Sequence, residues 1–288
     1  MTSIAIIGYA SLDHVIMVDG IPSPGRTTTI LDRPEESWPR LGGSPAYVAT
    51  ALAEGGIDAA SPVSWVGDDD SGRAFLSNLA GRGALTDGVA VLPAVRTPVA
   101  ILAYEPGGGC MCLYHPAVPK ELALTEAQRD VIAKADWLCV TIGPVGPTRE
   151  ALSLLGPESR LAWVVKDDPR AMPADLAATL AGRADVIFFS AAEAGFVGRA
   201  LAEAASHRPG QLLVETRGGA GAQATIGGET VFVPSEHLAV SDPTGAGDTF
   251  AGGALAALAA GETIPAAIVE AGHKAARALL SRRGASDY

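Results

Sequence analysis

Short, strongly apolar runs alternate with longer segments of helical spacing along most of this chain, and no other feature limits its fold so tightly. Strand-like runs fall at 3–8, 61–67, 136–143, 160–166, 185–190 and 211–216. Helix-like segments fall at 44–56, 70–83, 148–155, 173–182, 191–205, 246–260 and 264–282, and the second of them stops at Gly81 or Gly83. Strands that are apolar almost throughout suit a sheet covered on both faces. Their alternation with helices predicts a doubly wound, mostly parallel α/β sheet flanked by helices. Two stretches, 14–40 and 92–116, break the rhythm with short strand-like pieces, several prolines and no helix. They predict a small antiparallel β lid over the strand ends of a single 1–288 domain. Within 97–117 two strands flank a glycine turn, and 224–233 reads as another hairpin, turning at Gly227-Gly228.

The formal net charge of −11 offers no long-range attraction to nucleic acid or to anionic membranes, and no basic run makes a local exception. A small-molecule partner is expected instead. Cys110, Cys112 and Cys139 lack zinc-ligand spacing and read as reduced thiols of a cytoplasmic protein. The N-terminus has no basic segment ahead of its short apolar run, so it reads as a first strand and not as a signal peptide. No stretch reaches the ~18 uninterrupted apolar residues that a membrane helix needs.

Late in the βα series, SDPTGAGDTF (241–250) leads into the helix-like run 246–260. Open α/β sheets hold ligands at the carboxyl ends of strands, beside helix N-termini. A helix starting near Gly245–Asp248 would aim unpaired N–H groups outward. Glycine would admit a close approach, and the helix dipole would favour an anion. The dipole would also help to keep Asp248 ionised. A carboxylate beside an anion site can take the proton of a hydroxyl as it attacks a phosphoryl group. Taken alone, the same residues also describe a capped, glycine-rich helix start.

In its longer context, DPTGAGDTFAGGALAAL resembles the C-terminal signature of the ribokinase/PfkB carbohydrate kinase family. GGSPAYVATALAEGG (42–56) resembles the N-terminal signature. ADVIFFSAAEA (184–194) stands where the family has an Asn-x-x-Glu element, and VETRGGAGAQATIGGE resembles its nucleotide-binding strand, loop and hairpin. The likeness spans the whole chain. It implies a ribokinase-like fold with a β lid, and an ATP- and Mg²⁺-dependent kinase. Asp248 would be the general base, and Gly245, Ala246 and Gly247, with the Asp248 N–H, would form the anion hole. Asp13 would bind substrate hydroxyls, unless it merely caps a turn. Gly42 and Gly43 would let the substrate approach the backbone. Thr216, Gly218 and His273 would line the nucleotide site, and Glu193 would act on Mg²⁺ through water. Asp242 and Thr244 match positions used for a monovalent cation such as K⁺, with a simple turn-fixing role as the alternative.

Departures from the family pattern bear on the substrate more than on the chemistry. The chain has one asparagine, Asn78. Tyr47 stands where the family's N-terminal helix carries a substrate-binding Asn. A tyrosine can stack on a ring or narrow the pocket, but it cannot offer an amide's paired donor and acceptor. A core aromatic on a helix is the alternative of equal standing. Ser190 replaces the Asn of the Asn-x-x-Glu element in the cofactor site, and Lys166-Asp167-Asp168 departs from the usual Asp-Pro-Asn. The resulting expectation is a phosphotransferase that uses ATP on a hydroxymethyl group of a sugar or sugar-like molecule. A nucleoside kinase, which stacking on Tyr47 would favour, and a non-catalytic sugar- or nucleoside-binding protein are the alternatives. The G-x-G-x-x-A from Gly219 to Ala224 leads into a hairpin where a dinucleotide fingerprint would open a helix, and no Gly-Lys dipeptide supports a P-loop. A homodimer formed through the lid is compatible with this layout.

Overall fold

The computed structural model describes residues 2–35, 38–119, 121–236, 238, 240 and 242–284. Glu36 and Ser37 of the 14–40 stretch, and Ser241 at the head of the 241–250 motif, lie outside the described residues. In chain order the elements are β1 (Ser3–Ile7), β2 (Ser11–Val18), β3 (Ile30–Asp32), β4 (Arg40–Gly42), α1 (Ser44–Glu54), β5 (Ala59–Gly67), α2 (Asp70–Gly81), β6 (Val89–Leu92), β7 (Val99–Tyr104), β8 (Cys110–His115) and α3 (Glu126–Ala133). There follow β9 (Trp137–Val140), α4 (Val145–Leu154), β10 (Arg160–Val164), α5 (Ala174–Arg183), β11 (Val186–Ser190), α6 (Ala194–Glu203), β12 (Leu212–Thr216), β13 (Gly221–Ile226), β14 (Glu229–Pro234), α7 (Ala246–Ala259) and α8 (Pro265–Gly284).

The main sheet runs β14-β13-β12-β11-β10-β9-β1-β5-β6. It is parallel from β12 to β6, and the β13–β14 hairpin adds an antiparallel edge. Side chains alternate across a strand. Ile4 and Ile6 of β1 therefore enter one core with Val48 and Leu52 of α1, Phe75 of α2, Leu255 of α7 and Val269 of α8. Ala5 and Ile7 enter the other, with Ile132 of α3, Leu152 of α4, Leu180 of α5 and Val197 of α6. This is the doubly wound arrangement that the alternation predicts. Among the described residues, no helix is long and apolar enough to cross a membrane.

A second, five-stranded sheet has the order β3-β2-β7-β8, with β4 also paired to β2. Most of its pairs are antiparallel, as expected, but β2 and β7 run parallel. Both strands leave the carboxyl ends of parallel strands, β1 and β6, and so rise in the same direction. This small sheet starts at Ser11, earlier than the sequence suggests, while Leu92 at the head of the 92–116 stretch still belongs to the main sheet. The predicted strand 136–143 ends at Val140.

Candidate active site

The strand order reverses at β1, which has β5 and β6 on one side and β9 to β12 on the other. The carboxyl end of such a strand is where open α/β sheets hold ligands. Here β2 continues from β1, and α7 begins. The Asp248 carboxyl lies within electrostatic reach of Asp13 on β2, Lys166 just after β10 and Glu193 just after β11. Residues far apart in the chain are thus brought near one another at this end of the sheet.

The turn into α7 is built from its own side chains. Asp242 Oδ1 accepts hydrogen bonds from the Thr244 N–H (3.0 Å) and hydroxyl (2.6 Å). Gly245 caps the helix at φ 73°, and a Cβ there would lie 2.5 Å from Cε1 of Tyr47. Glycine is needed on both counts. Ala246, expected among the anion donors, turns its N–H onto the Pro243 carbonyl at 3.0 Å. The Gly247 and Asp248 N–H groups stand in the first turn, where a helix offers no acceptor, and no side chain caps them. Space beyond Gly247 is open. These two groups, with the helix dipole, are the donors available to an anion.

Asp248 accepts a hydrogen bond from the Ser44 hydroxyl at the start of α1. Burial pushes its pKa up to about 6. The Ser44 bond and the Lys166 charge oppose that rise, while Glu193 and Asp13 add to it. The dipole, expected to help keep this group ionised, is not the largest influence on it. A helix dipole is worth about 0.3–1 kcal/mol near the surface, less than one pKa unit, and desolvation outweighs it. The carboxylate is still mostly ionised at neutral pH.

Asp13 is 3% exposed and sits within β2, cross-strand from Arg40. It caps no turn. Its carboxylate accepts from the Ser11 hydroxyl (2.5 Å) and from the Tyr47 hydroxyl (3.4 Å), and burial raises its pKa. The double glycine also serves the protein's own packing. A Cβ on Gly42 would fall 2.2 Å from the Asp13 carboxyl, so glycine at this position makes room for Asp13. Gly43, at φ 86°, caps α1 against the Tyr9 carbonyl. Gly42→Ala is expected to cost about 1–3 kcal/mol, as overpacking does, read by chemical denaturation. An unchanged midpoint would show that Asp13 yields freely.

Tyr47 is 7% exposed, with its ring against Gly245 and its hydroxyl between Asp13 and Arg283. It is a buried strut and not a stacking platform. The open aromatic pair is instead Tyr9, just past β1, and Tyr114 on β8, with centroids 5.8 Å apart. Tyr114 donates to the Ala10 carbonyl at 3.2 Å, tying β8 to the connection between β1 and β2. Cys110 and Cys112 share its face of β8, where the Lys166 charge reaches both thiols and Asp13 acts on Cys112.

On the other side of Asp248, the Ser190 N–H (2.9 Å) and hydroxyl (2.8 Å) both donate to Glu193 Oε2 in a capping box. Ser190 therefore orients Glu193. The second carboxylate oxygen makes no protein hydrogen bond among the described residues. Among those residues no group of three or more His, Cys, Asp or Glu could hold a metal directly. That fits a Mg²⁺ that keeps its waters and leans on phosphates, and it does not fit a closed protein cage. Thr216 ends β12, and Gly218 opens a short 3-10 turn (Gly218–Ala220) with open space above it. His273 lies in a groove of about 590 Å³ between β14 and α8, with Val233, Ala271, Lys274 and Arg277. Neither Thr216 nor Gly218 lines that groove. Burial, and then the Arg277 charge, lower the His273 pKa, and its ring stands edge-on to Phe250 at 5.3 Å. Arg217 is engaged by Glu215 and Gln223 at the surface.

Sequence reasoning missed Ser44, Tyr114 and Arg283. Ser44 lies inside the 42–56 signature but carries no chemical signal of its own there, and topology delivers Tyr114 and Arg283.

The doubly wound sheet with its small second sheet is a ribokinase-like fold. The chain belongs to the pfkB family of carbohydrate kinases, whose profile matches residues 1–288. It is 28% identical over 286 residues to the ribokinase of Bacillus subtilis, covering 98% of this chain and 94% of that one. Among solved structures it is similar to a nucleoside kinase of Methanocaldococcus jannaschii, with 18% identity, a TM-score of 0.79 and coverage of 98% and 92%. It is also similar to an Escherichia coli structure holding ATP and Mg²⁺, with 20% identity, a TM-score of 0.79 and coverage of 98% and 94%. At these identities the two structures speak to the fold alone.

Proposed function

We propose that this kinase transfers the terminal phosphoryl group of ATP to a hydroxymethyl group of a sugar or sugar-like molecule. One observation carries the reading: Asp248, with its pKa near neutrality, lies in the same helix turn as the uncapped Gly247 and Asp248 N–H groups. Asp248 takes the proton from the acceptor hydroxyl, and the N–H groups steady the charge on the transferring group. Asp13 orients the acceptor through its hydroxyls. Glu193, held by Ser190, would hold Mg²⁺ through water, and the ion would offset phosphate charge. Thr216, Gly218 and the groove at His273 receive the nucleotide, along the C-terminal half of the sheet. The small sheet acts as a lid that keeps water out. A cytoplasmic setting suits an ATP-consuming enzyme without a membrane helix among its described residues.

Buried Tyr47 no longer argues for a nucleoside, but Tyr114 beside Tyr9 gives a base a ring to stack on, and this keeps a nucleoside as the second reading. The test is ATP-dependent phosphorylation across a panel of sugars, sugar-like polyols and nucleosides, followed by mass spectrometry. A new phosphate ester on a sugar hydroxymethyl is expected. Tight binding with no transfer would establish a binding protein instead.

The outer face of the small sheet exposes Ile101 and Leu113, which pair across β7 and β8. We propose that two copies meet there. Sedimentation equilibrium is expected to show a dimer that Leu113→Lys dissociates, and a monomeric wild type would refute it.

A further inference from the structure

We infer that the phosphate turn is held by a cation built into this chain, the guanidinium of Arg283, so that no K⁺ or other added monovalent cation is needed to order it. The inference about the turn stands on geometry, and its consequence for activity rests on the kinase reading above. The turn gathers the oxygens a hard cation would seek: the Asp242 carboxylate, the Thr244 hydroxyl and the main-chain carbonyls of Asp242 and Thr244. Each is already engaged. Arg283, near the end of α8, donates through Nη1 to the Asp242 carbonyl at 3.0 Å and to the Thr244 carbonyl at 2.6 Å. The same nitrogen stands 3.8 Å from Asp242 Oδ1. Arg40 grips both carboxylate oxygens of Asp242, with Nη2 at 3.2 Å from Oδ1. The Thr244 hydroxyl lies 2.6 Å from Asp242 Oδ1 and 2.6 Å from the Tyr104 hydroxyl. Asp242 and Thr244, the pair expected to take K⁺, thus do not fit it.

Charge points the same way. Two guanidinium groups already share the one Asp242 carboxylate, and both are largely buried. Burial and the neighbouring Arg40 charge already pull the Arg283 pKa below its usual value. A third positive charge at the same oxygens would meet that repulsion at close range and weak screening. Arginine also presents its donors in a rigid fork, so the carbonyls flanking Gly245 are fixed without a binding step.

Thermal melting of the ligand-free protein, and phosphorylation rates with whichever compound proves a substrate, are compared in KCl and in tetramethylammonium chloride. Equal ionic strength keeps screening the same. Wild type is expected to melt at one temperature in both salts, with rates differing by less than about twofold. Arg283→Ala is expected to melt lower in tetramethylammonium and to slow about tenfold or more, as loss of charge-assisted bonds implies. Added K⁺ or millimolar guanidinium should restore it, and Arg283→Lys should stay insensitive to K⁺. A wild-type melting temperature or rate that rises with K⁺ overturns the inference, even if Arg283→Ala fails to fold. So does an Arg283→Ala protein that no cation restores. Melting needs no substrate, so a protein that phosphorylates nothing on the panel refutes the kinase reading while leaving this result to stand or fall alone.

Discussion

Asp248→Asn is expected to lower kcat by about 10²–10⁴-fold, the usual contribution of a positioned general base, while nucleotide and acceptor still bind. The same change should make the protein more stable at neutral pH. Burial raises the Asp248 pKa from 3.8 to about 6 in the folded state. A raised carboxyl pKa contributes stability that is complete below the unfolded value and lost as pH rises through the folded one. Asparagine carries no such penalty. The variant should therefore gain on the order of 2–3 kcal/mol over wild type above pH ~7, by about 1.36 kcal/mol per pKa unit. The difference should vanish below pH ~4. Wild-type turnover should correspondingly rise with pH through about 6, as the base ionises. Denaturation across pH and steady-state kinetics read both effects. A variant that is slower and also less stable would point to a structural role, and one with unchanged kcat would place the base elsewhere.

Arg40→Ala should produce the largest loss of stability among the charged side chains. Removing one partner of a buried ion pair leaves the other charge desolvated, at about 3–5 kcal/mol. Arg283 still approaches Asp242 at 3.8 Å, so the lower end is expected. For a chain of this size each kcal/mol moves the melting point by about 2 °C. The exposed pair Lys134–Asp130, 3.2 Å apart, gives the contrast, since Lys134→Ala should leave the melting point unchanged. Calorimetry on the two variants decides. Equal small shifts would mean that water or a neighbour rescues Asp242.

The elements most legible in the sequence are those whose signal is local. β1, α2 and α7 follow from apolar runs, spacing and glycine stops. α3 went unseen because it is short and half polar, although Thr125 and Gln128 form a reciprocal capping box that T-x-x-Q announces. Gln128 then turns inward and donates to the Ser64 and Gly88 carbonyls, both at 3.0 Å, which no pattern foretells. The site divides in the same way. Asp248 and the glycines lie in short motifs, and Asp13 stands just past the first apolar run. Arg283 is 41 residues beyond Asp242 in the chain, and only the return of α8 brings it to the turn. The packing reason for Gly42 was equally hidden, since it depends on the β2–β4 pairing, which brings the Asp13 carboxyl to where a Gly42 Cβ would lie.

Tyr47 has a consequence of its own. Its hydroxyl touches the Asp13 carboxylate while its ring fills the space against Gly245. One rigid side chain therefore abuts both Asp13 and the helix start. A ligand that shifts the ring on reaching Asp13 changes how readily the helix start accepts an anion. Thermodynamic reciprocity then requires an anion there to change the ligand's affinity by the same factor. The contacts to Asp13 and to Gly245 thus run through a single phenol, so such a linkage would require no moving domain.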